Sequence, residues 1–405
     1  MPQPTKKYYG SSFSTRRQQP RRSYSQRKTN DRRYKKDYID PSKFVKVAKI
    51  TQAETYSPEH SFDDFNVSSL IKQNLLSKGF ISPSPIQDKT IAPIIEGKDV
   101  IGLADTGTGK TAAFAIPLLD KIMLKNVRLL VIAPTRELAQ QIDEEFRWIA
   151  KGSNLNSAIL IGGTNIGGQL RDLRRQPQIV IGTPGRIKDH FERGSLNLAS
   201  FSLVVLDEVD RMLDMGFIND VKAILNQLSP VRQSLFFSAT LAQPIKDLIN
   251  GFSKDPFTVS TKSGETSENV HQDVVYVNGG YDKLDKLNGL LKSGEIKKAI
   301  IFDDTQRQVE KLSLDLSGLG FRVDAIHGGR SQGQRQRSLA KFKRNEVDIL
   351  VATDVAARGI DVVDITHVIN YSTPNSYSDY IHRIGRAGRA GKIGYALTFV
   401  DKARA

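Results

Sequence analysis

The sequence predicts an α/β protein of two parallel-sheet domains behind a basic, unstructured arm. Three observations point there. Short apolar runs alternate with helical patterns along most of the chain, which is the alternation that places helices on both faces of a parallel sheet. A polar Gly/Ser stretch without periodicity, around 261–267, interrupts the alternation and reads as a linker. The first fifty residues hold 15 Lys/Arg against Asp31, Asp37 and Asp40, a local +12 that leaves +3 for the rest of a chain whose net charge is +15. A disordered basic tail is therefore expected over 1–55, with domains at 60–262 and 270–405.

A length of 405 residues with 39% hydrophobic content is enough for more than one core. The absence of cysteine excludes a disulfide framework and a thiolate metal site. The six histidines (60, 190, 271, 327, 367 and 382) have no ligand spacing, so no structural metal is expected. Neither a long apolar run nor an apolar segment in the basic first thirty residues occurs, which excludes a spanning helix and a secretory signal. A soluble, cytoplasmic, monomeric protein without membrane contacts is the expectation. The chain stops at Ala405, soon after the last expected strand, so no further C-terminal module is expected.

In the arm, Arg16-Arg17, Arg21-Arg22, Arg32-Arg33 and Lys35-Lys36 interleave with Tyr8, Tyr9, Phe13, Tyr24, Tyr34 and Tyr38. Cations neutralise nucleic-acid phosphates and aromatic rings stack on unpaired bases, so an RNA-binding arm is favoured over a merely solubilising one.

The first domain opens on a helical pattern (Leu70, Ile71, Leu75, Leu76) that stops at Gly79. Its strands are expected near 128–133, 157–161, 178–182, 203–206 and 234–238. The stretch around which it is organised is Ala104-Asp105-Thr106-Gly107-Thr108-Gly109-Lys110-Thr111, where an apolar run turns through glycines into a helix. It reads as a phosphate-binding loop, in which backbone N–H groups face a triphosphate, a lysine reaches the β/γ oxygens and a hydroxyl holds Mg²⁺. Lys110 and Thr111 fill the last two roles. Ala104 stands at the first glycine position of the general pattern, so Gly107 and Gly109 must provide the close backbone approach. About a hundred residues on, a buried-strand pattern ends in Asp207-Glu208-Val209-Asp210. A carboxylate at the end of such a strand holds Mg²⁺ through water and a second activates the attacking water, roles that suit Asp207 and Glu208.

The second domain repeats the alternation, with strands near 272–277, 299–302, 323–326, 349–352, 367–370 and 395–400 and helices near 283–292, 305–318 and 332–343. It carries no phosphate loop. One loop shared by two similar domains suggests a nucleotide held between them. Near its end, Arg386 and Arg389 stand three residues apart, a spacing that on a helix puts both on one face, where they can converge on one anion.

Over residues 60 to about 400 the chain resembles a DEAD-box ATP-dependent RNA helicase of superfamily 2: a bacterial-like minimal core, with Val209 in place of alanine in the tetrapeptide that names the family. The resemblance implies two tandem RecA-like domains. Gly79–Gln87 is similar to the adenine-reading Q motif, with Phe62 as its upstream aromatic, so Gln87 is implied to read the adenine edge and Phe80 to pack on its face. Pro134–Gln140, Gly162-Gly163 and Thr183–Arg186 resemble motifs of the first RNA groove, implicating Arg136, Gly163, Thr183 and Arg186 in RNA binding. Ser238-Ala239-Thr240 resembles the motif that couples the ATP site to RNA separation, with His382 as a further coupling residue. In the second domain, His327–Gln332 with Arg335 resembles an RNA-contacting segment through Gln332 and Arg335. Motifs V and VI are similar to 352–361 and 382–389, implying RNA contacts by Thr353 and Arg358, a ribose contact by Asp361 and arginine fingers at Arg386 and Arg389. Asp303 and Asp304 replace a more apolar pair in the turn that follows the strand at 299–302.

By that resemblance the cofactors are ATP and Mg²⁺, the latter at Thr111 and, through water, Asp207. The partner is RNA bound without regard to sequence, with ribonucleoprotein or ribosome-assembly complexes as further targets. Hydrolysis would drive local duplex unwinding or ribonucleoprotein remodelling. An ATP-gated RNA clamp with little unwinding uses the same motifs, and a DNA-translocating helicase is disfavoured by the Q motif.

Overall fold

The computed structural model describes residues 38–48, 56–105, 107–261, 269–357, 362, 364–388 and 392–402. Two sheets organise them. The first contains β1 (Val100–Leu103), β2 (Leu129–Ile132), β3 (Ser157–Leu160), β4 (Ile179–Gly182), β5 (Leu203–Leu206), β6 (Gln233–Ser238) and β7 (Phe257–Ser260), in the spatial order β3-β4-β2-β5-β6-β1-β7. The second contains β8 (Val270–Val277), β9 (Ala299–Phe302), β10 (Val323–Ile326), β11 (Ile349–Ala352), β12 (His367–Asn370) and β13 (Gly394–Asp401), in the order β10-β11-β9-β12-β13-β8. Every pairing between these strands is parallel.

The central strands are buried at every position, as in β2, β4, β5, β9, β11 and β12. A strand covered on both faces has no polar side to show, so it reads as a continuous apolar run rather than an alternation. Successive side chains still point to opposite faces. Phe237 joins Phe114 and Ile142 in one apolar layer of the first sheet, while its neighbour Phe236 joins Met212 and Leu248 in the other. Ile300 and Ile301 divide the two layers of the second sheet in the same way. The strand β7 has no counterpart among the expected elements. It lies at an edge with Val259 as its buried residue, so its apolar signal is weak.

In an open parallel sheet, ligands bind beyond the carboxyl ends of the strands. That is where the motifs stand: 104–111 follows β1, 134–140 follows β2, 162–163 follows β3, 183–186 follows β4, 207–210 follows β5 and 238–240 closes β6. In the second sheet 303–305, 327–335 and 353–357 follow β9, β10 and β11.

Two expectations are corrected. The tail expected to lack structure through residue 55 is built over 38–48: a 3-10 turn at Pro41–Phe44 buries Phe44 in the second lobe, and Lys46 bridges to Gln272 on β8. Arg386 is not on a helix face, because the helix Tyr377–Ile384 ends at Gly385 and Arg386 lies in the turn beyond it. Residues 1–37 and the expected linker at 262–268 lie outside the described residues. Among the described residues no helix is long and apolar enough to cross a membrane.

Candidate functional site

Gly107 (φ 84°) and Gly109 (φ 89°) take left-handed backbone that other residues adopt only with strain, and their turn delivers Lys110 as the first residue of the helix Lys110–Lys125. Lys110 is buried, and its Nζ donates to the Ala104 carbonyl at 2.8 Å, across the loop's own mouth. Thr108 Oγ1 donates to the Asp105 carbonyl at 2.8 Å, Thr111 is half-buried one residue into the helix, and Thr106 lies outside the described residues. Gln87 ties the adenine motif to this loop: its Oε1 accepts from the Ser84 amide at 3.0 Å and its Nε2 donates to the Gly109 carbonyl at 3.1 Å. A side chain at Gly109 would run into that amide, which gives the glycine a second reason to be there. Phe62 and Phe80 sit with ring centroids 6.1 Å apart, Phe62 buried against Phe65 and Phe80 partly buried against Trp148.

Asp207 and Glu208 are buried at the end of β5. Burial pushes the Asp207 carboxyl well above the usual carboxylate range, against the pull of Lys110 and with the push of Glu208. Among the described residues no cluster of three His, Cys, Asp or Glu forms a metal cage. Buried Asp207 and the half-buried Thr111 offer hard oxygen donors of the kind Mg²⁺ takes one or two of from protein. Glu208 sits in left-handed backbone (φ 53°, ψ 53°), a conformation costing about 1–3 kcal/mol for a residue other than glycine. Its Oε2 accepts from Arg211 Nη1 at 2.6 Å, and Arg211 is among the largest fully buried side chains. Val209 packs into the apolar layer below, so the departure from alanine is absorbed by the core.

Asp210 had no expected role, and the structure gives it one. Its Oδ2 accepts from the amides of Ala239 (3.0 Å) and Thr240 (2.9 Å) and from Thr240 Oγ1 (3.3 Å), while Ser238 Oγ accepts from the Asp210 amide at 3.3 Å. Asp210 therefore joins the carboxylate strand-end directly to the 238–240 turn. His382, expected to act with them, sits on the second-lobe helix Tyr377–Ile384, lining a small cavity with Arg383 and Arg386.

A cavity of about 520 Å³ runs along the strand ends of both lobes, lined by Arg136, Gly162, Thr183 and Arg186 from the first and by Gly328 and Arg335 from the second. The Arg136 guanidinium lies against Gly162 and Gly163, where a side chain on either glycine would displace it. Arg186 Nη1 donates to Gln169 Oε1 at 3.2 Å, and Gln169 Oε1 also contacts buried His190 Nε2 at 2.9 Å, so the guanidinium is held by a buried polar network. An adjoining cavity of about 390 Å³ takes in Thr353, Arg335 and Asp304, which places one of the unexpected acids on its wall. Asp303, its neighbour, is buried, and burial raises its carboxyl.

Gln332 and Arg335 reach across to the first lobe. Arg335 Nη2 stands 2.9 Å from Glu137 Oε2 with both side chains buried, and Gln332 Nε2 donates to Glu137 Oε1 and Gln140 Oε1, each at 3.1 Å. Glu137, which carried no expectation, is the residue on which these second-lobe groups converge; a contact between lobes leaves no local sequence signal. In the second lobe Arg383 is locked by both Asp354 oxygens (2.6 and 2.7 Å) and the Ser372 carbonyl (2.7 Å), while buried Arg386 donates from Nε to the His382 carbonyl at 3.3 Å. Arg358, Asp361 and Arg389 lie outside the described residues.

Comparison with known proteins accounts for this arrangement. A DEAD/DEAH box helicase family model matches residues 84–248 and a helicase conserved C-terminal domain model matches 282–391. The ATP-dependent RNA helicase CshA of Listeria monocytogenes is 45% identical over 342 residues, 84% of this chain and 66% of that protein. The DEAD-box ATP-dependent RNA helicase CshA of Geobacillus kaustophilus is 45% identical over 343 residues, 84% of this chain and 73% of that protein. The chain belongs to the DEAD-box ATP-dependent RNA helicases. Among solved structures, this helicase is similar to Mss116p bound to ssRNA and AMP-PNP (31% identity, TM-score 0.78, 88% of this chain and 77% of that one). It is also similar to S. cerevisiae Dbp5 bound to RNA and ADP BeF3 (28% identity, TM-score 0.76, 85% and 90%). The two RecA-like domains of the family are the two parallel-sheet lobes described above.

Proposed function

We propose that this DEAD-box helicase binds ATP·Mg²⁺ at the first-lobe strand ends, closes its second lobe over the nucleotide and a single RNA strand, and uses hydrolysis to reopen. The observation that carries the reading is the cavity of about 520 Å³ whose walls come from both lobes, with Arg136 and Arg186 supplied by the first and Gly328 and the Glu137-paired Arg335 by the second. A groove built that way is whole only when the lobes meet, and a phosphate backbone lying in it rewards their meeting. Resemblance to the RNA-bound Mss116p and Dbp5 structures, each with a TM-score above 0.7, supports the same reading.

In this reading Lys110 leaves the Ala104 carbonyl for the triphosphate, Gln87 presents its amide to the adenine edge and Phe80 lies on the ring. Mg²⁺ held by the Thr111 hydroxyl and, through water, by Asp207 would neutralise charge on the phosphates. Glu208 orients and deprotonates the attacking water, and Arg211 keeps its carboxylate aimed. Arg386 approaches the γ-phosphate from the other lobe. Asp210 passes the state of this site to the 238–240 turn. Arg136, Gly163, Thr183, Arg186 and Thr353 hold the RNA by phosphate and sugar, which bends the strand without reading its bases. We extend the reading to a monomer acting in the cytoplasm on structured RNA or ribonucleoprotein.

The test is ATP hydrolysis with and without RNA, together with displacement of a short RNA duplex. RNA-stimulated hydrolysis with displacement is the expected result; stimulation without displacement makes the protein an ATP-gated clamp, and no stimulation overturns the reading.

A further inference from the structure

Arg186 lines the cavity of about 520 Å³, and what holds it there is an amide rather than an acid. The guanidiniums of Arg211, Arg335 and Arg383 each face a carboxylate at 2.6–2.9 Å, from Glu208, Glu137 and Asp354. Among the described residues Arg186 has one hydrogen bond, from Nη1 to Gln169 Oε1 at 3.2 Å, and one looser pair, Nε with Asp189 Oδ2 at 3.7 Å. Asp189 is partly exposed and its other oxygen accepts from Arg193 Nε at 2.6 Å, so it cancels little of the Arg186 charge.

Gln169 is buried on the helix Ile166–Arg174, and both ends of its amide are engaged. Nε2 donates to the Ile161 carbonyl (2.9 Å) and to Thr164 Oγ1 (2.6 Å), the residues on either side of Gly162 and Gly163. Thr164 Oγ1 in turn donates to the Ile161 carbonyl at 3.0 Å, which closes that turn without help from Gln169. Oε1 lies 2.9 Å from His190 Nε2. Burial, with Arg186 beside it, holds the His190 imidazole below its ordinary pKa, so the ring is neutral and has one N–H. The network assigns that proton to Nε2, which donates to Gln169, while Nδ1 accepts from Ser195 Oγ at 2.8 Å. Only one orientation of the amide fits: turned over, it would set its oxygen against the Ile161 carbonyl and its NH₂ against the Arg186 guanidinium.

We propose that Gln169 is a positioning residue for RNA binding: its amide, anchored on the Gly162-Gly163 turn and on His190, fixes the Arg186 guanidinium at the cavity wall and leaves its charge for an RNA phosphate. This rests on the reading of that cavity as the RNA groove. A carboxylate at the same place would grip the guanidinium more strongly but cancel its charge within the protein; an amide orients it without neutralising it. A guanidinium fixed beforehand also spares the complex the entropy of ordering a long side chain.

Two variants test it, each alone and combined with Arg186→Ala. Gln169→Met keeps the size of the side chain and removes its polar atoms. Gln169→Glu keeps an acceptor for Arg186 and adds the charge that the amide lacks. The probe is a labelled single-stranded RNA bound across a salt series with a non-hydrolysable ATP analogue present; binding of the analogue without RNA shows that each variant is folded. Both variants should weaken RNA binding by about tenfold and make the dependence of log K on log salt shallower by up to about 0.7, the share of one phosphate. In the Arg186→Ala background most of that loss should disappear. A loss that persists there in full overturns the inference, because it then comes from packing in the first lobe. Binding like the parent's by Gln169→Glu overturns it too, since the neutrality of the amide would not matter. If Arg186→Ala alone keeps the parent's affinity and salt dependence, Arg186 is not an RNA contact, and the reading of the groove at that residue falls together with the inference.

Discussion

Both lobes are parallel sheets covered on two faces, and in both the motif residues follow the carboxyl ends of the strands. What they bury there differs in balance. The first lobe buries three acids, Asp207, Glu208 and Asp210, beside Lys110 and Arg211 around a phosphate loop; the second buries three guanidiniums, Arg335, Arg383 and Arg386, beside Asp303 and has no such loop. Acids can hold a cation and activate water but repel a γ-phosphate, whereas guanidiniums do the reverse. Each lobe has half of what phosphoryl transfer requires, so in the proposed mechanism hydrolysis waits on their meeting. The Glu137–Arg335 pair makes the same division visible in miniature, an acid from the first lobe against a guanidinium from the second.

The most severe way to break the first half is Lys110→Ala. The triphosphate loses its cation within the loop, and ATP hydrolysis should fall by about a hundredfold or more. A rate near the parent's would remove the phosphate-loop assignment.

Glu137→Gln breaks the link between the halves. Arg335 is left buried without its charge partner in the closed form, a penalty of up to about 3–5 kcal/mol where burial is complete and one that the open form escapes by hydration. RNA affinity measured with a non-hydrolysable ATP analogue should fall by about tenfold or more. Unchanged affinity would mean the lobes meet without this pair.

A gentler probe is pH. Burial raises the folded-state pKa of Asp207, so the protonated form favours the nucleotide-free fold below the ordinary carboxylate range, and that stability is lost as pH rises through the folded value. A cation must displace the same proton. Affinity for ATP·Mg²⁺ should therefore climb with pH from the ordinary carboxylate range towards neutrality, by at most about tenfold per pH unit for one proton, and Asp207→Asn should flatten the climb. Fluorescent-nucleotide titration across that range measures it; a parent as flat as the variant contradicts the assignment.

The smallest effect is expected from deleting residues 1–37, which carry basic charge but stop short of the docked segment. RNA binding should weaken, and the slope of log K against log salt should shrink by about 0.7 for each phosphate that the arm had neutralised. An unchanged slope would leave the arm a solubilising one.

These predictions draw unequally on what the sequence displays. Fully buried parallel strands such as Leu203–Leu206 and Ile349–Ala352 are legible because burial on both faces compels an apolar run. The loop at Lys110 is legible because close approach to phosphate compels glycine and a cation. The strand at Phe257–Ser260 is not, since one buried residue at an edge leaves too little pattern. The docking of Phe44 is hidden by its basic surroundings, which resemble those of an unstructured arm. Arg386 reads as helical from spacing, but Gly385 ends the helix before it. The role of Asp210 depends on hydrogen bonds to a turn some thirty residues away, and that of Glu137 on a partner nearly two hundred residues away. Neither distance leaves a periodic trace.

The central claim is that closure lasts as long as the triphosphate does, and Glu208→Gln tests it most directly. Glutamine keeps the size of the side chain but cannot take the proton from water, so hydrolysis slows while Asp207, Lys110 and Arg386 remain. The measurement is the dissociation rate of labelled single-stranded RNA after addition of competitor, with ATP and Mg²⁺ present, for parent and variant. The account predicts that the variant releases RNA far more slowly than the parent. Release as fast as the parent's, with hydrolysis demonstrably slowed, would contradict it.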